Sequence, residues 1–151
     1  MNPSSRLSLL LPRAIEWATT QAEHIATTGM ELSDNLQRIA ARQGVQRPDL
    51  VRIKFVEAIP LPEDEDLRAL AVETGVIGGD TAGLTVGHGI FIVESELTLP
   101  LLSHELRHVH QFESLGSISA FLEQYIAQVL EFGYDAAPLE LDARAHEITE
   151  A

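Results

Sequence analysis

The sequence contains no cysteine in its 151 residues. Small domains held by disulfides need cysteine pairs, and thiolate zinc ribbons need cysteine ligands, so the sequence excludes both classes of protein. Any metal ion in this protein must therefore be bound by histidine and carboxylate side chains.

Basic residues are scarce as well. The chain has 10 lysines and arginines against 23 aspartates and glutamates, which gives a formal net charge of −13. Phosphate groups would repel such a charge, so we expect no nucleic-acid partner. Hydrophobic residues make up 45% of the chain, as is typical of folded proteins and not of disordered ones.

Long apolar runs are also missing. The apolar stretch at residues 7–11 is closed by Pro12 and is too short for the core of a signal peptide. No run approaches the ~20 apolar residues that a membrane-spanning helix needs. We therefore expect a soluble cytoplasmic protein with no membrane partner.

Hydrophobic periodicity predicts mostly helices in the first half of the chain. Apolar residues at three- and four-residue steps predict two helices within residues 12–42, separated at Gly29. Alternation of apolar and polar residues predicts a strand over residues 50–59. An acidic short helix is predicted over residues 63–73, and a glycine-rich loop over residues 75–83.

The second half repeats this mixture of strand and helix. Alternating apolar residues predict a strand over residues 84–93, and a helix follows over residues 99–112. Ser117 is a favourable N-cap for a further apolar helix, which Gly133 ends. Pro138 begins a last helix that runs to about residue 148.

These elements predict one mostly helical α+β domain over residues 1–151, with a small β-sheet packed on the helix at 99–112. Residues 1–48 form its helical N-terminal part. Residues 84–148 supply a strand, the central helix and the last helix.

The most informative pattern is His-Glu-x-x-His, formed by His104, Glu105 and His108 within the helix predicted over residues 99–112. Residues four apart on a helix lie one turn above each other, so both histidines can reach one tetrahedral zinc ion. Zinc lowers the pKa of a bound water from ~15.7 towards ~7, and Glu105 can accept the released proton. A purely structural site has no use for such a base.

Catalytic zinc usually has three protein ligands, and the third must lie elsewhere in the chain. His110 is unsuitable because it lies roughly 200° around the helix from His108. Glu140 and Asp142 lie at the start of the last predicted helix and point to different sides of it. Glu140 is our first choice, Asp142 is the alternative, and His146 is a third candidate.

Two segments resemble gluzincin-type zincin metallopeptidases, in particular small bacterial members. The sequence His-Glu-Leu-Arg-His-Val-His-Gln at 104–111 is similar to their His-Glu-Leu-x-His-Val-x-Gln helix. The sequence Glu-Leu-Asp-Ala-Arg at 140–144 is similar to the Glu-x-x-Ala-Asp segment that carries the third ligand in some members. Arg144 replaces the Asp of that segment, and the whole resemblance covers residues 84–145.

The resemblance implies a minimal zincin-like fold with one zinc ion per chain. It also implies the roles of four side chains: zinc ligands at His104, His108 and Glu140, and a general base at Glu105.

Four further residues are candidates for contact with a substrate. In zincins, a sheet edge strand that precedes the active-site helix pairs with the substrate backbone, and residues 84–93 occupy that place. Gly87 and Gly89 would allow a backbone to approach closely, although a bulge or twist also explains them. His88 is either a substrate contact or a core histidine. Tyr134, six residues before Glu140, is a candidate hydrogen-bond donor to the reaction's oxyanion.

The sequence thus predicts a zinc-dependent peptidase acting on a peptide or protein substrate. The alternative is a zincin-like fold with weak or no catalysis that serves as a protein-binding scaffold. The charge of −13 would disfavour strongly acidic substrates. The sequence carries no indication of the oligomeric state.

Overall fold

The computed structural model describes residues 2–149, which contain six α-helices and one four-stranded sheet. The α+β fold class, mostly helical with a small sheet, is confirmed. In chain order the elements are α1 (Pro3–Thr28), β1 (Met30–Glu31), α2 (Asp34–Arg42), β2 (Arg52–Val56), α3 (Glu65–Thr74), β3 (Gly83–Val86), β4 (Gly89–Val93), α4 (Leu99–Leu115), α5 (Ile118–Phe132) and α6 (Pro138–Ala145).

The sheet has the strand order β1-β2-β4-β3, so β3 lies at one edge. The central strands β2 and β4 are parallel, and β1 and β3 pair antiparallel with them. Successive side chains on a strand point to opposite faces. Ile90 and Ile92 of β4 accordingly pack with Leu106 of α4, whereas Phe91 packs with Ile25 of α1. The sheet therefore lies between α4 on one face and α1 on the other.

The first helix begins earlier than the periodicity predicted. Asn2 caps it by accepting a hydrogen bond from the Ser5 N–H at 2.8 Å, and Pro3 occupies the first turn, where its missing N–H costs nothing. Pro12 therefore lies inside the helix, and the predicted start at residue 12 is wrong. Leu10 and Ala14 are buried on either side of Pro12, so packing stabilises the helix across the hydrogen bond that this proline cannot make.

The single strand predicted over residues 84–93 is also wrong, because the segment forms a hairpin. Gly87 and His88 make a two-residue turn between β3 and β4. Gly87 has φ +63°, a left-handed conformation that glycine adopts without steric cost. A Cβ atom on Gly89 would lie 3.0 Å from Ile25 Cδ1, so Gly89 allows α1 to pack closely on the sheet.

The other predicted elements are confirmed with small shifts of their ends. Side chains of Ser33, Asp64 and Ser117 cap α2, α3 and α5 as N-cap residues. No helix within residues 2–149 carries an apolar stretch long enough to cross a membrane.

Candidate metal centre

Helix α4 buries the whole His-Glu-x-x-His pattern. Its N-terminus is capped by the Thr98 hydroxyl, which accepts a hydrogen bond from the Leu101 N–H. Leu106 and Val109 pack under the sheet with none of their surface exposed. The side chains of His104, Glu105 and His108 are buried as well. Polar groups of this kind are stable inside a protein only when they find partners there.

The partner that both histidines share is Glu140, in the first turn of α6. His104 Nε2 lies 2.9 Å from Glu140 Oε1, and His108 Nε2 lies 3.1 Å from Glu140 Oε2. One ligand atom from each residue lies within 4.8 Å of the other two. Ligands of tetrahedral zinc at ~2.0–2.1 Å are separated by ~3.3 Å, so this donor set fits zinc after small side-chain shifts.

Asp142 is directed away from the cluster formed by His104, His108 and Glu140. Its two carboxylate oxygens lie 2.8 and 3.2 Å from the Arg107 guanidinium, in a bidentate ion pair between α6 and α4. This pair lowers the pKa of Asp142 to about 2. His146 lies beside Asp142, with its Nδ1 2.8 Å from the Asp142 carbonyl oxygen. Of the candidates for the third position, the structure thus brings Glu140 to the two histidines.

The second nitrogen of each histidine also has a partner. His108 Nδ1 lies 2.7 Å from Gln111 Oε1, and the Gln111 amide donates to Asp142 Oδ2 at 2.9 Å. His104 Nδ1 lies 2.8 Å from Glu147 Oε2. Such partners fix the orientation and tautomer of metal-binding histidines and raise their affinity for the metal.

Electrostatic interactions and hydrogen bonds connect the three candidate ligands with one another. Burial opposes protonation of His104, but the carboxylates of Glu140 and Glu105 outweigh it and raise its pKa to about 9. Burial also favours neutral Glu140, yet hydrogen bonds from His104 and His108 lower its pKa far below the usual range. Both shifts reflect the hydrogen bonds between the histidine rings and Glu140, and a metal ion would have to displace protons from these groups in order to bind.

Glu105 lies beside the three candidate ligands and is not one of them. Its Oε1 accepts a hydrogen bond from the Thr85 hydroxyl of β3 at 2.8 Å. A Cβ atom on Gly83 would lie 3.0 Å from the Glu105 side chain, so glycine at this position leaves room for the carboxylate. Burial raises the pKa of Glu105 and thereby makes it a stronger base than an exposed carboxylate.

Two tyrosines approach the same region. The Tyr125 hydroxyl of α5 donates a hydrogen bond to Glu140 Oε2 at 2.6 Å. Tyr134, in the loop before α6, is half-buried, and burial together with the charge of Glu140 raises its pKa. Both phenols are therefore protonated at neutral pH and able to donate hydrogen bonds.

A cavity of about 120 Å³ adjoins the cluster. Glu105, His108 and Glu140 form its polar end, together with the two tyrosines, and the strand β3 lines one side. The remaining walls are mostly apolar and come from three helices: Trp17 and Ala18 of α1, Leu70 and Ala71 of α3, and Phe121 and Val129 of α5.

The three remaining candidates for substrate contact lie elsewhere. Gly87, His88 and Gly89 line a different groove, at the turn of the hairpin. His88 Nε2 lies 2.9 Å from Glu113 Oε2, and its ring makes an edge contact with Phe112. The structure therefore does not bring these residues into the cavity beside Glu105.

Sequence reasoning missed four polar residues around the cluster: Thr85, Gln111, Tyr125 and Glu147. Gln111 carried a detectable signal, because it follows His108 by one helical turn and so lies on the same face. The other three come from separate elements, and only the tertiary fold brings them to α4.

Similarity to known proteins does not assign a function to this chain. No family model matches the chain, and neither a curated protein nor a solved structure matches it. The function is therefore inferred from the residues of the cluster and the cavity.

Proposed function

We propose that this protein is a zinc-dependent metallopeptidase. The observation that carries the proposal is the position of Glu105, a buried carboxylate that faces the cavity beside His108 and Glu140. A structural metal site is closed by its ligands, whereas a catalytic one keeps an open position and a nearby base. The proposed metal ion is zinc, and the proposed location of the protein is the cytoplasm.

The donor set supports zinc as the metal. Two imidazole nitrogens and one carboxylate oxygen suit a borderline-soft ion, and they would leave a fourth tetrahedral position for water or substrate. Bound zinc supplies two kinds of chemistry, acidification of a water molecule and polarisation of a carbonyl oxygen.

Three side chains carry out the proton transfer, the orientation of the base and the hydrogen bonding to the substrate carbonyl. Glu105 accepts a proton from the attacking water as the new C–O bond forms at the peptide carbonyl carbon. It then gives that proton to the amide nitrogen as the C–N bond breaks, so the base is regenerated. Thr85 holds the carboxylate in place through its hydroxyl. Tyr134 also lines the cavity, and its hydroxyl donates a hydrogen bond to the carbonyl oxygen.

The edge strand β3 supports an extended peptide as substrate. The Val93 N–H donates to the Ala82 carbonyl at 2.8 Å, which fixes the alternation of the antiparallel ladder. The backbone groups of Gly83 and Thr85 consequently point away from β4, towards the free edge. A peptide can bind there by strand addition, next to Glu105.

The test combines metal analysis with a single substitution. The wild-type protein should bind about one zinc ion per chain and cleave an unstructured protein. Glu105→Gln keeps the size of the side chain but removes the base, so it should retain zinc and lose cleavage by at least about a hundredfold.

Two results would contradict the proposal. Cleavage by Glu105→Gln at the wild-type rate would remove Glu105 from the mechanism. The second result is a wild-type protein that binds zinc but cleaves nothing. If it also binds a partner protein, and Glu105→Gln binds that partner equally well, the protein is a scaffold and not a peptidase.

A further inference from the structure

The segment that follows α6 crosses the N-terminal half of α4. Within this segment, residues 146–149, the Glu147 carboxylate reaches His104, and its Oε2 lies 2.8 Å from His104 Nδ1. The sequence distance between the two residues is 43, so the contact depends entirely on the way the segment packs.

Backbone hydrogen bonds anchor the segment on both sides of Glu147. The Gln43 side-chain amide donates to the His146 carbonyl at 3.0 Å, and the Ile148 N–H donates to the Ser103 hydroxyl oxygen at 2.8 Å. Ser103 has none of its surface exposed, and its own hydroxyl donates to the Leu99 carbonyl at 2.8 Å. The backbone on each side of Glu147 is thus bonded to a different part of the core.

The two candidate zinc histidines differ in what supports them. His108 is held by Gln111, a neutral side chain one turn along the same helix. His104 is held by a charged carboxylate from another part of the chain. A carboxylate bonded to one ring nitrogen keeps the proton on that nitrogen, so the other nitrogen presents its lone pair to a metal and becomes more basic.

We infer that Glu147 is a positioning residue of the metal centre, and that the segment 146–149 is needed for full metal affinity. The inference rests on the proposed zinc site. Glu147 acts through His104: it accepts the Nδ1 proton, orients the ring and leaves Nε2 free for the ion.

The experiment measures zinc affinity by competition with a chromophoric chelator. Glu147→Ala should bind zinc 10- to 100-fold more weakly than the wild type. Glu147→Gln should lose less affinity, because its amide oxygen can still accept the Nδ1 proton. Glu123→Gln, which removes one negative charge from an exposed position on α5, is the matched control and should bind like the wild type.

A second variant tests the anchor without touching the carboxylate. Ser103→Ala removes the acceptor of the Ile148 N–H, so zinc affinity should fall to a level between those of the wild type and Glu147→Ala. Glu147 is about one third exposed, and Glu147→Ala should therefore remain folded, which its thermal unfolding curve checks.

A spectroscopic measurement separates positioning from general stability. In nitrogen-15 spectra of the zinc-loaded protein, Glu147→Ala should shift the ring signals of His104 and leave those of His108 in place. Zinc binding by Glu147→Ala within about twofold of the wild type, or an unchanged His104 signal, would overturn the inference while leaving the zinc site intact. Failure of the wild type to bind zinc would instead overturn the proposed function itself.

Discussion

A single tyrosine hydroxyl connects the candidate zinc ligand Glu140 to the core of α5. Tyr125 is buried, stacks on Phe121 with ring centroids 5.4 Å apart, and donates to Glu140 Oε2. The hydrogen bond occupies one oxygen of the carboxylate and so restricts its rotation. Of the two tyrosines at the cavity, Tyr125 therefore orients the candidate ligand Glu140, whereas Tyr134 is the candidate for a role in catalysis.

These assignments predict different losses for two matched substitutions, of zinc affinity in one variant and of kcat in the other. Tyr125→Phe should weaken zinc binding about tenfold, because the ligand loses the hydrogen bond that orients it. Tyr134→Phe should leave zinc affinity unchanged and lower kcat about tenfold, because it removes a donor to the developing oxyanion. Chelator competition and peptide hydrolysis measure the two effects. An equal loss of zinc affinity in both variants would contradict the division of roles.

At the scale of single residues, the sequence predicts which side chains share one face of a helix, because the helical repeat determines this. His104, Glu105 and His108 share one face of α4, and the sequence leaves Glu140, Asp142 and His146 as candidates for the third ligand, with Glu140 as the first choice. The apolar spacing along α5 predicts a core position for Tyr125. Its ring does pack in the core, but the partner of its hydroxyl comes from α6 and could not be found from local spacing.

At the scale of elements, the hairpin β3–β4 determines which strand lies beside the candidate metal centre. The turn at Gly87 and His88 reverses the chain, so β4 enters the centre of the sheet and β3 remains at the edge over Glu105. The alternating pattern continues through a two-residue turn without interruption. For this reason the alternation of residues 84–93 predicted one strand, and the glycine at the turn was the available signal of two.

The turn predicts a structural role for Gly87. Gly87→Ala forces a side chain into φ +63° and places its Cβ 3.2 Å from Ile118 Cδ1, so the free energy of unfolding should fall. A loss of about 1–2 kcal/mol is expected, which lowers Tm by ~3–6 °C for a domain of this size. Zinc affinity should not change, since this turn lies outside the cavity.

Gly79→Ala is the control for this measurement. Gly79 lies in the loop before β3 and has no positive φ, and a Cβ atom at this position would meet no other atom within 4 Å. The Tm of this variant should stay within about 1 °C of the wild type. A Gly87→Ala variant with unchanged Tm and impaired peptide binding would show instead that Gly87 contacts the substrate.

At the scale of the whole molecule, part of the acidic excess has a local structural use, of which Asp64 is an example. The Asp64 carboxylate accepts hydrogen bonds from the N–H groups of Asp66 and Leu67 at the start of α3, and it lies 3.2 Å from Arg13 of α1. The ion pair lies between α1 and α3, and these two helices together form walls of the cavity. The contribution of α1 and α3 to the cavity could not be predicted, since neither helix carries a motif and their packing is a long-range property.

The apolar walls of that cavity predict which substrate side chain the proposed peptidase prefers beside the scissile bond. A cavity of about 120 Å³ is slightly smaller than an engineered one of ~150 Å³ that binds benzene, so a leucine side chain fits it. Burial of leucine contributes about 1.5–3 kcal/mol, and a peptide with leucine beside the scissile bond should have a kcat/KM at least about tenfold above that of its alanine counterpart. An aspartate there should be cleaved least, because its charged carboxylate would lose its hydration among the mostly apolar walls of the cavity. Ala71→Leu fills the cavity from α3 and should bring the leucine-to-alanine ratio of kcat/KM towards one, with an unfolding curve to check that the variant is folded. Equal kcat/KM for the leucine and alanine peptides in the wild type would show that the cavity does not receive the substrate side chain.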